Sequence, residues 1–142
     1  MTHPLERFEI AQKNEYAAAL CELKAGAKRG HWMWFIFPQL VGLGQSETSR
    51  RYGISDLLEA REYLQHPVLG PRLIECSSVV LNLPTKVLSD IFLPPDDLKF
   101  GSCMTLFSLA EPESLVFQRA VRKFFNGSRD VRTIDLMKAE GT

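Results

Sequence analysis

Apolar side chains recur along this chain at three- and four-residue intervals, and strand-type alternation is scarce, so the pattern predicts a succession of helices. Leu5, Phe8 and Gln12 share the face of a first segment behind Pro4, which suits a first helical turn. A second segment carries Tyr16, Ala19, Leu20 and Leu23, with Asn14 as its expected cap and Gly26 closing it. The next run, His31-Trp-Met-Trp-Phe-Ile-Phe37, is apolar on every side and halted by Pro38. Its period does not separate helix from strand, and its helical flanks favour a short buried helix.

Downstream, Gly42-Leu-Gly44 is a turn, and Ser46 is placed to cap a short helix ending at Gly53. Ser55 or Asp56 begins another, through Leu57, Leu58, Arg61 and Leu64, stopped before His66-Pro67. Leu69, Leu73, Cys76 and Val80 then share a face as far as Asn82-Leu83-Pro84, with His66 expected to cap. Thr85 is the expected cap of a short helix through Phe92, and Leu93-Pro-Pro95 is a stiff break. Asp96 is the expected cap of a helix bearing Phe100, Met104 and Phe107. Ser114 to Phe125 forms the next, closed by Asn126-Gly127, and Asp130 caps a last one with Ile134 and Met137. The expectation is an all-α fold, an irregular multihelical single domain over 1–142 with a buried central helix.

Composition narrows the function classes. A chain of 142 residues suits one domain. With 17 basic against 17 acidic side chains it carries no broad field for gripping phosphate backbones, which disfavours nucleic acid as the main partner. Cys21, Cys76 and Cys103 form no CxxC pair, and no two of His3, His31 and His66 have the spacing of ligands on one helix turn. Neither a metal nor a cofactor is implied. The cysteines are expected to be reduced thiols packed as small apolar groups in a cytoplasmic protein. The charged start MTHPLERFEI lacks the apolar core of a signal peptide, and the Trp32–Phe37 run is too short to span a bilayer, so no membrane partner is expected. The oligomeric state stays open.

Candidate chemistry concentrates in three places. Both tryptophans lie in the 31–37 run, and two residues apart they point roughly 200° from each other about a helix axis. One can be core while the other, Trp34, lines a pocket in which Gln39 supplies an amide; the alternative is that both are core. Between Lys24 and Arg51 there are five cations (Lys24, Lys28, Arg29, Arg50, Arg51) against the single acid Glu47. Arg50 and Arg51 beside Ser46 could hold a phosphate, or simply form a solvated face. Third, Lys99, Ser102 and Thr105 make a polar strip on a greasy helix, which either bonds to neighbouring backbone or lines a cleft. In a cleft, Asp97 or Asp96 would be the acid or base and Lys99 an anion contact. The expected partner is therefore a small, nucleotide-like molecule, planar or phosphate-bearing, held by Trp34, Gln39, Arg50, Arg51, Lys99 and Ser102. The rival reading is an interaction or structural module without chemistry.

His31-Trp-Met-Trp-Phe-Ile-Phe-Pro-Gln39 with Gly42-Leu-Gly44, Arg51-Tyr-Gly53, His66-Pro-Val-Leu-Gly70, Asp96-Asp-Leu-Lys99 and Ser102-Cys-Met-Thr-Leu-Phe107 together resemble the bacterial domain-of-unknown-function family numbered 1810. The resemblance implies a single multihelical domain with a buried central helix, and no activity. More loosely, Val68-Leu-Gly-Pro-Arg-Leu73 followed by Asp96-Asp97 is similar to the NADAR-type N-glycosidases, though the glycine- and asparagine-rich final motif of those domains is missing. That likeness implies a hydrolase in which an aspartate assists departure or activates water, arginines hold phosphate and Trp34 stacks on the base.

Overall fold

The computed structural model describes residues 4–139. Met1–His3 and Glu140–Thr142, with the first part of the charged start and His3, lie outside the described residues. Helices follow one another from end to end: α1 (Glu6–Gln12), α2 (Tyr16–Lys24), α3 (Met33–Ile36), α4 (Glu47–Arg51), α5 (Leu57–Gln65), α6 (Leu69–Asn82), α7 (Asp96–Ala110), α8 (Leu115–Phe125) and α9 (Val131–Ala139), with a 3₁₀ turn at Leu88–Asp90. Among the described residues the extended pairing is a single parallel bridge, Leu40 to Ile54, in which Ile54 N–H donates to Gln39 O at 2.9 Å and Val41 N–H to Ile54 O at 2.8 Å. The fold is all-α.

α7 is the axis of the molecule. Ten of its fifteen residues are buried, and α5, α8 and α9 pack against it while α8 also crosses α6. A helix apolar on most sides belongs in the middle of a domain, because no stripe of it is suited to water. Its interior hydroxyls are matched locally. Ser102 donates to Leu98 O at 3.1 Å, Ser108 to Thr105 O at 2.8 Å, and Thr105 Oγ1 accepts the Asp130 N–H at 2.9 Å. The polar strip of 99, 102 and 105 thus bonds to backbone at two of its three positions, the first of the two outcomes its spacing allowed. Phe100 on α7 anchors an aromatic cluster with Phe37 (centroids 5.1 Å apart) and Phe92 (5.2 Å), which ties the 32–37 segment to the core.

Several caps form as the sequence dictates. Ser46, Asp56 and Asp130 accept the N–H three residues ahead, and Asn126 in the left-handed region at φ 53° ends α8, followed by a Gly127 N–H bond to Val121 O. His66 is not the N-cap of α6, a place Val68 takes, but from two residues ahead of it Nδ1 accepts from Val68 and Leu69 N–H; Nε2 therefore carries the proton toward Glu9 at 2.9 Å. Lys123 of α8 donates to Leu81 and Leu83 O, satisfying carbonyls at the far end of α6.

Other expectations give way. Asn14 does not cap α2, whose N-cap is Glu15 without a side-chain bond. Asp96 is the first residue of α7 rather than its cap, because the Pro95 position before it takes the N-cap place and the carboxylate is drawn to two lysines. Thr85 nucleates only a turn, accepting from Val87 N–H and bonding Asp90, so a 3₁₀ turn stands where a longer helix was expected. The 31–37 run is helical for one turn only. Cys76 and Cys103 are buried, but Cys21 is exposed, on the same outward face of α2 as Ala17 and Lys24.

Gly70 sits where α6 begins beneath the end of α5, and a Cβ there would lie 2.1 Å from Leu64 O. Gly70→Ala gains helix propensity of about 1 kcal/mol, yet the clash is with backbone that cannot rotate away. The expected result is a net loss of about 2 kcal/mol, read from the urea unfolding midpoint.

Candidate functional site

The two tryptophans are held by one chain of charges. Trp32 is 1% exposed, so its indole N–H needs an acceptor inside the protein. It finds the Glu22 carboxylate at 3.0 Å, which also accepts the Arg29 and Gly30 N–H at 2.7 and 2.9 Å. Gly30 permits this closeness, since a Cβ there would stand 2.8 Å from Trp32 Cδ1. Lys28 lies over the Trp32 ring at 5.2 Å, donates to Gly30 O at 2.6 Å and pairs with Asp96 at 2.9 Å. Asp96 also pairs with Lys99 at 3.1 Å, and the Lys99 ammonium sits 4.2 Å above the ring of Trp34. The order is Glu22, Trp32, Lys28, Asp96, Lys99, Trp34. It joins α2, the loop after it, α3 and the start of α7.

The two indoles differ in kind. Trp32 is sealed, with Phe37 and Phe92 around it. Trp34 is half-buried, its Cη2 edge 3.1 Å from where a Cβ of Gly44 would be, and its indole N–H has no acceptor among the described residues. Gln39 is only 6% exposed, yet among the described residues its side-chain amide makes no hydrogen bond. Of the described side-chain atoms, Ser77 Oγ alone is sealed away without a partner, so both polar atoms of the Gln39 amide still touch solvent.

Burial alone would raise the Asp96 carboxyl, but hydrogen bonds and charge from Lys28 and Lys99 outweigh it and hold the group below the ordinary aspartate value. Glu22 behaves alike: burial raises it, the Gly30 and Arg29 N–H bonds, the Trp32 indole and the Lys28 charge lower it, and the net is downward. Both are anions at neutral pH. Burial pushes the Cys103 thiol upward, and the Cys76 thiol is pushed up to about 11 by burial first, so neither is an activated nucleophile.

Of the residues singled out from sequence, Trp34, Lys99 and Asp96 come together. Asp97 is next to them in the first turn of α7, where Oδ1 accepts the Leu98 N–H at 2.9 Å. Ser102 follows on α7 but is 6% exposed, and its hydroxyl is engaged with Leu98 O. Arg50 and Arg51 face elsewhere. They line a cleft of about 540 Å³ with Glu47 and Thr48, and another of about 420 Å³ with Arg7, Ile10 and Tyr52. Arg50 donates to Gln45 O at 2.7 Å, and Arg51 lies 5.7 Å from the Tyr52 ring. Sequence reasoning missed Glu22. The available signal was the unmet need of a buried indole for an acceptor, with Glu22 an acid one helix back. Among the described residues no three His, Cys, Asp or Glu side chains gather as a metal site requires, and no helix is long and apolar enough to cross a membrane.

The chain belongs to a family described as a protein of unknown function, DUF1810, whose model matches residues 2–137. A solved structure, the crystal structure at 1.38 Å of the conserved hypothetical protein Rv1873 from Mycobacterium tuberculosis, is 50% identical, covers 94% of this chain and 96% of its own, and superimposes with a TM-score of 0.93. No curated protein matches.

The lowered carboxyls fix the sign of the acid response. The folded state binds these protons less tightly than the unfolded chain, so their contribution is present above the ordinary carboxylate range and lost as pH falls through the folded values. Denaturant midpoints taken from pH 7 downward should therefore fall in acid. Asp96→Asn and Glu22→Gln should each be less stable at pH 7 and show a flatter acid limb; an unchanged acid limb in both would contradict the assignment.

Proposed function

We propose that this domain binds a small, acceptor-rich ligand beside the Trp32–Gln39 segment, with Trp34, Gln39 and Lys99 as its contacts. The observation that carries the reading is the Gln39 amide, buried at 6% exposure and without a hydrogen bond among the described residues. Its polar atoms still touch solvent, so a ligand's oxygen or ring nitrogen would take the place of water there without breaking an internal hydrogen bond. Two further groups of the proposed set ask for the same chemistry. Trp34 offers an unmet indole N–H and a partly open ring, and Lys99 an ammonium shared between that ring and Asp96. A phosphate or carboxylate attached to a flat ring would meet donors and an aromatic surface together, as nucleotides do.

Asp96, with an ammonium on each oxygen, serves in this reading as the anchor that aims Lys99 rather than as a proton carrier. A hydrolytic step of the N-glycosidase kind would fall to Asp97, half-buried and bonded among the described residues only to the adjacent Leu98 N–H. Arg50 and Arg51 are left to a separate surface.

A thermal-shift panel of nucleoside mono- and diphosphates and ADP-ribose tests the reading. Ligand at a hundred times its Kd should stabilise the native state by about 2.7 kcal/mol, seen as a raised Tm. Gln39→Leu and Lys99→Met should each weaken binding about tenfold, the loss of roughly one hydrogen bond to a charged or buried group. An unmoved Tm across the panel would overturn it.

A further inference from the structure

A cleft of about 320 Å³ opens between α1 and the start of α6, lined by Glu6, Glu9, Ile10, Lys13, Val68 and Arg72. Arg72 is half-buried, with the Tyr16 ring 4.5 Å below its guanidinium. Among the described residues it makes no ion pair. Glu75, one turn further along α6, accepts the Tyr16 hydroxyl instead, and Glu9 is paired with His66. Charged groups taken partly out of water are ordinarily matched by an opposite charge. Here Glu6 and Glu9 line the same cleft, but among the described residues neither pairs with the guanidinium.

The guanidinium is nonetheless fixed in place. Gln12, 1% exposed, donates its amide nitrogen to Phe35 O at 2.7 Å and to Tyr63 Oη at 3.1 Å. Its oxygen is thereby turned toward Arg72, whose Nη1 donates to it at 3.3 Å. One edge of the fork is held from within, and the Tyr16 ring sets its plane. Of five N–H donors on the guanidinium, one is engaged in this way among the described residues, and the side chain lines the cleft. Two aliphatic side chains complete the lining, Ile10 at 67% and Val68 at 37% exposure.

We infer that this cleft is a binding site for a small aliphatic monocarboxylate, its carboxylate on the Arg72 fork and its hydrocarbon part on Ile10 and Val68. A planar, singly charged group matches a guanidinium in two parallel bonds. Phosphate is disfavoured by Glu6 and Glu9, whose charges would oppose a dianion more strongly than a monoanion. The site is independent of the one beside Trp34, so the two readings stand or fall separately.

The test is a titration of the ¹⁵N-labelled full chain with 4-methylpentanoate, and separately with inorganic phosphate at equal ionic strength. Saturable shifts confined to Ile10, Lys13, Val68 and Arg72 are expected with the carboxylate, and phosphate should not displace it. Arg72→Gln should weaken binding at least tenfold. Ile10→Ser, at an exposed position where the fold is not at stake, should weaken it several-fold. Absence of saturable shifts, displacement by phosphate, or equal binding by a folded Arg72→Gln or Ile10→Ser variant would overturn the assignment.

Discussion

The Glu22 carboxylate, receiving an indole and two backbone N–H groups, is the interaction on which the organisation of the aromatic segment depends. An indole as deeply covered as Trp32 must have an acceptor, and supplying it from α2 forces the loop between α2 and α3 to fold back over the ring. Hydrogen bonds to a charged acceptor contribute about 1.5–3 kcal/mol each. The ion pairs that continue the chain, partly open to water, add less, about 0–1 kcal/mol apiece. Their importance is geometric. Lys28 and Lys99 are aimed by one carboxylate, and through Lys99 the outer tryptophan is set at the surface rather than swallowed by the core.

That arrangement needs an inflexible support, and α7 provides it. A helix buried along two thirds of its length can present Asp96 and Lys99 from its first turn without shifting, because every interior hydroxyl it carries is bonded to nearby backbone or, for Thr105, to the α9 cap. Small residues bring the neighbours close: Gly101 lets the Phe125 ring lie on α7, and Gly70 lets α6 begin against the carbonyl of Leu64. Gln39 and the Trp34 indole, whose polar side-chain atoms have no hydrogen-bond partner among the described residues but touch solvent, fall on the segment this support holds.

Local chemistry was legible in the sequence, and long-range chemistry was not. Ser46, Asp56, His66, Asp130 and Asn126-Gly127 act where they stand because each serves a backbone group within a few residues. Asn14 and Thr85 fail as helix caps for want of a following helix that needed them in that register, and Asp96 fails because two lysines compete for its carboxylate. Trp32 is sealed and Trp34 half-buried, with Trp32 standing at the N-cap of α3 rather than inside the helix from whose geometry their separation was read. The pairing of Trp34 with Lys99, 65 positions away, has no local signature. Nor does that of Glu22 with Trp32 across a loop. Arg50 and Arg51 looked close to the aromatic run by position, but α4 turns them toward Arg7 and Tyr52.

The organisation of the aromatic segment turns on one tryptophan being locked to Glu22 while its neighbour stays in touch with solvent. Hydrogen–deuterium exchange of the two indole N–H groups, followed by NMR on ¹⁵N-tryptophan-labelled protein, measures that directly. Exchange at Trp32 should be slowed by orders of magnitude and should accelerate in Glu22→Gln, while Trp34 exchanges close to the rate of a free indole in both proteins. Two indoles protected alike, or a Trp32 indifferent to the loss of the Glu22 charge, would contradict it.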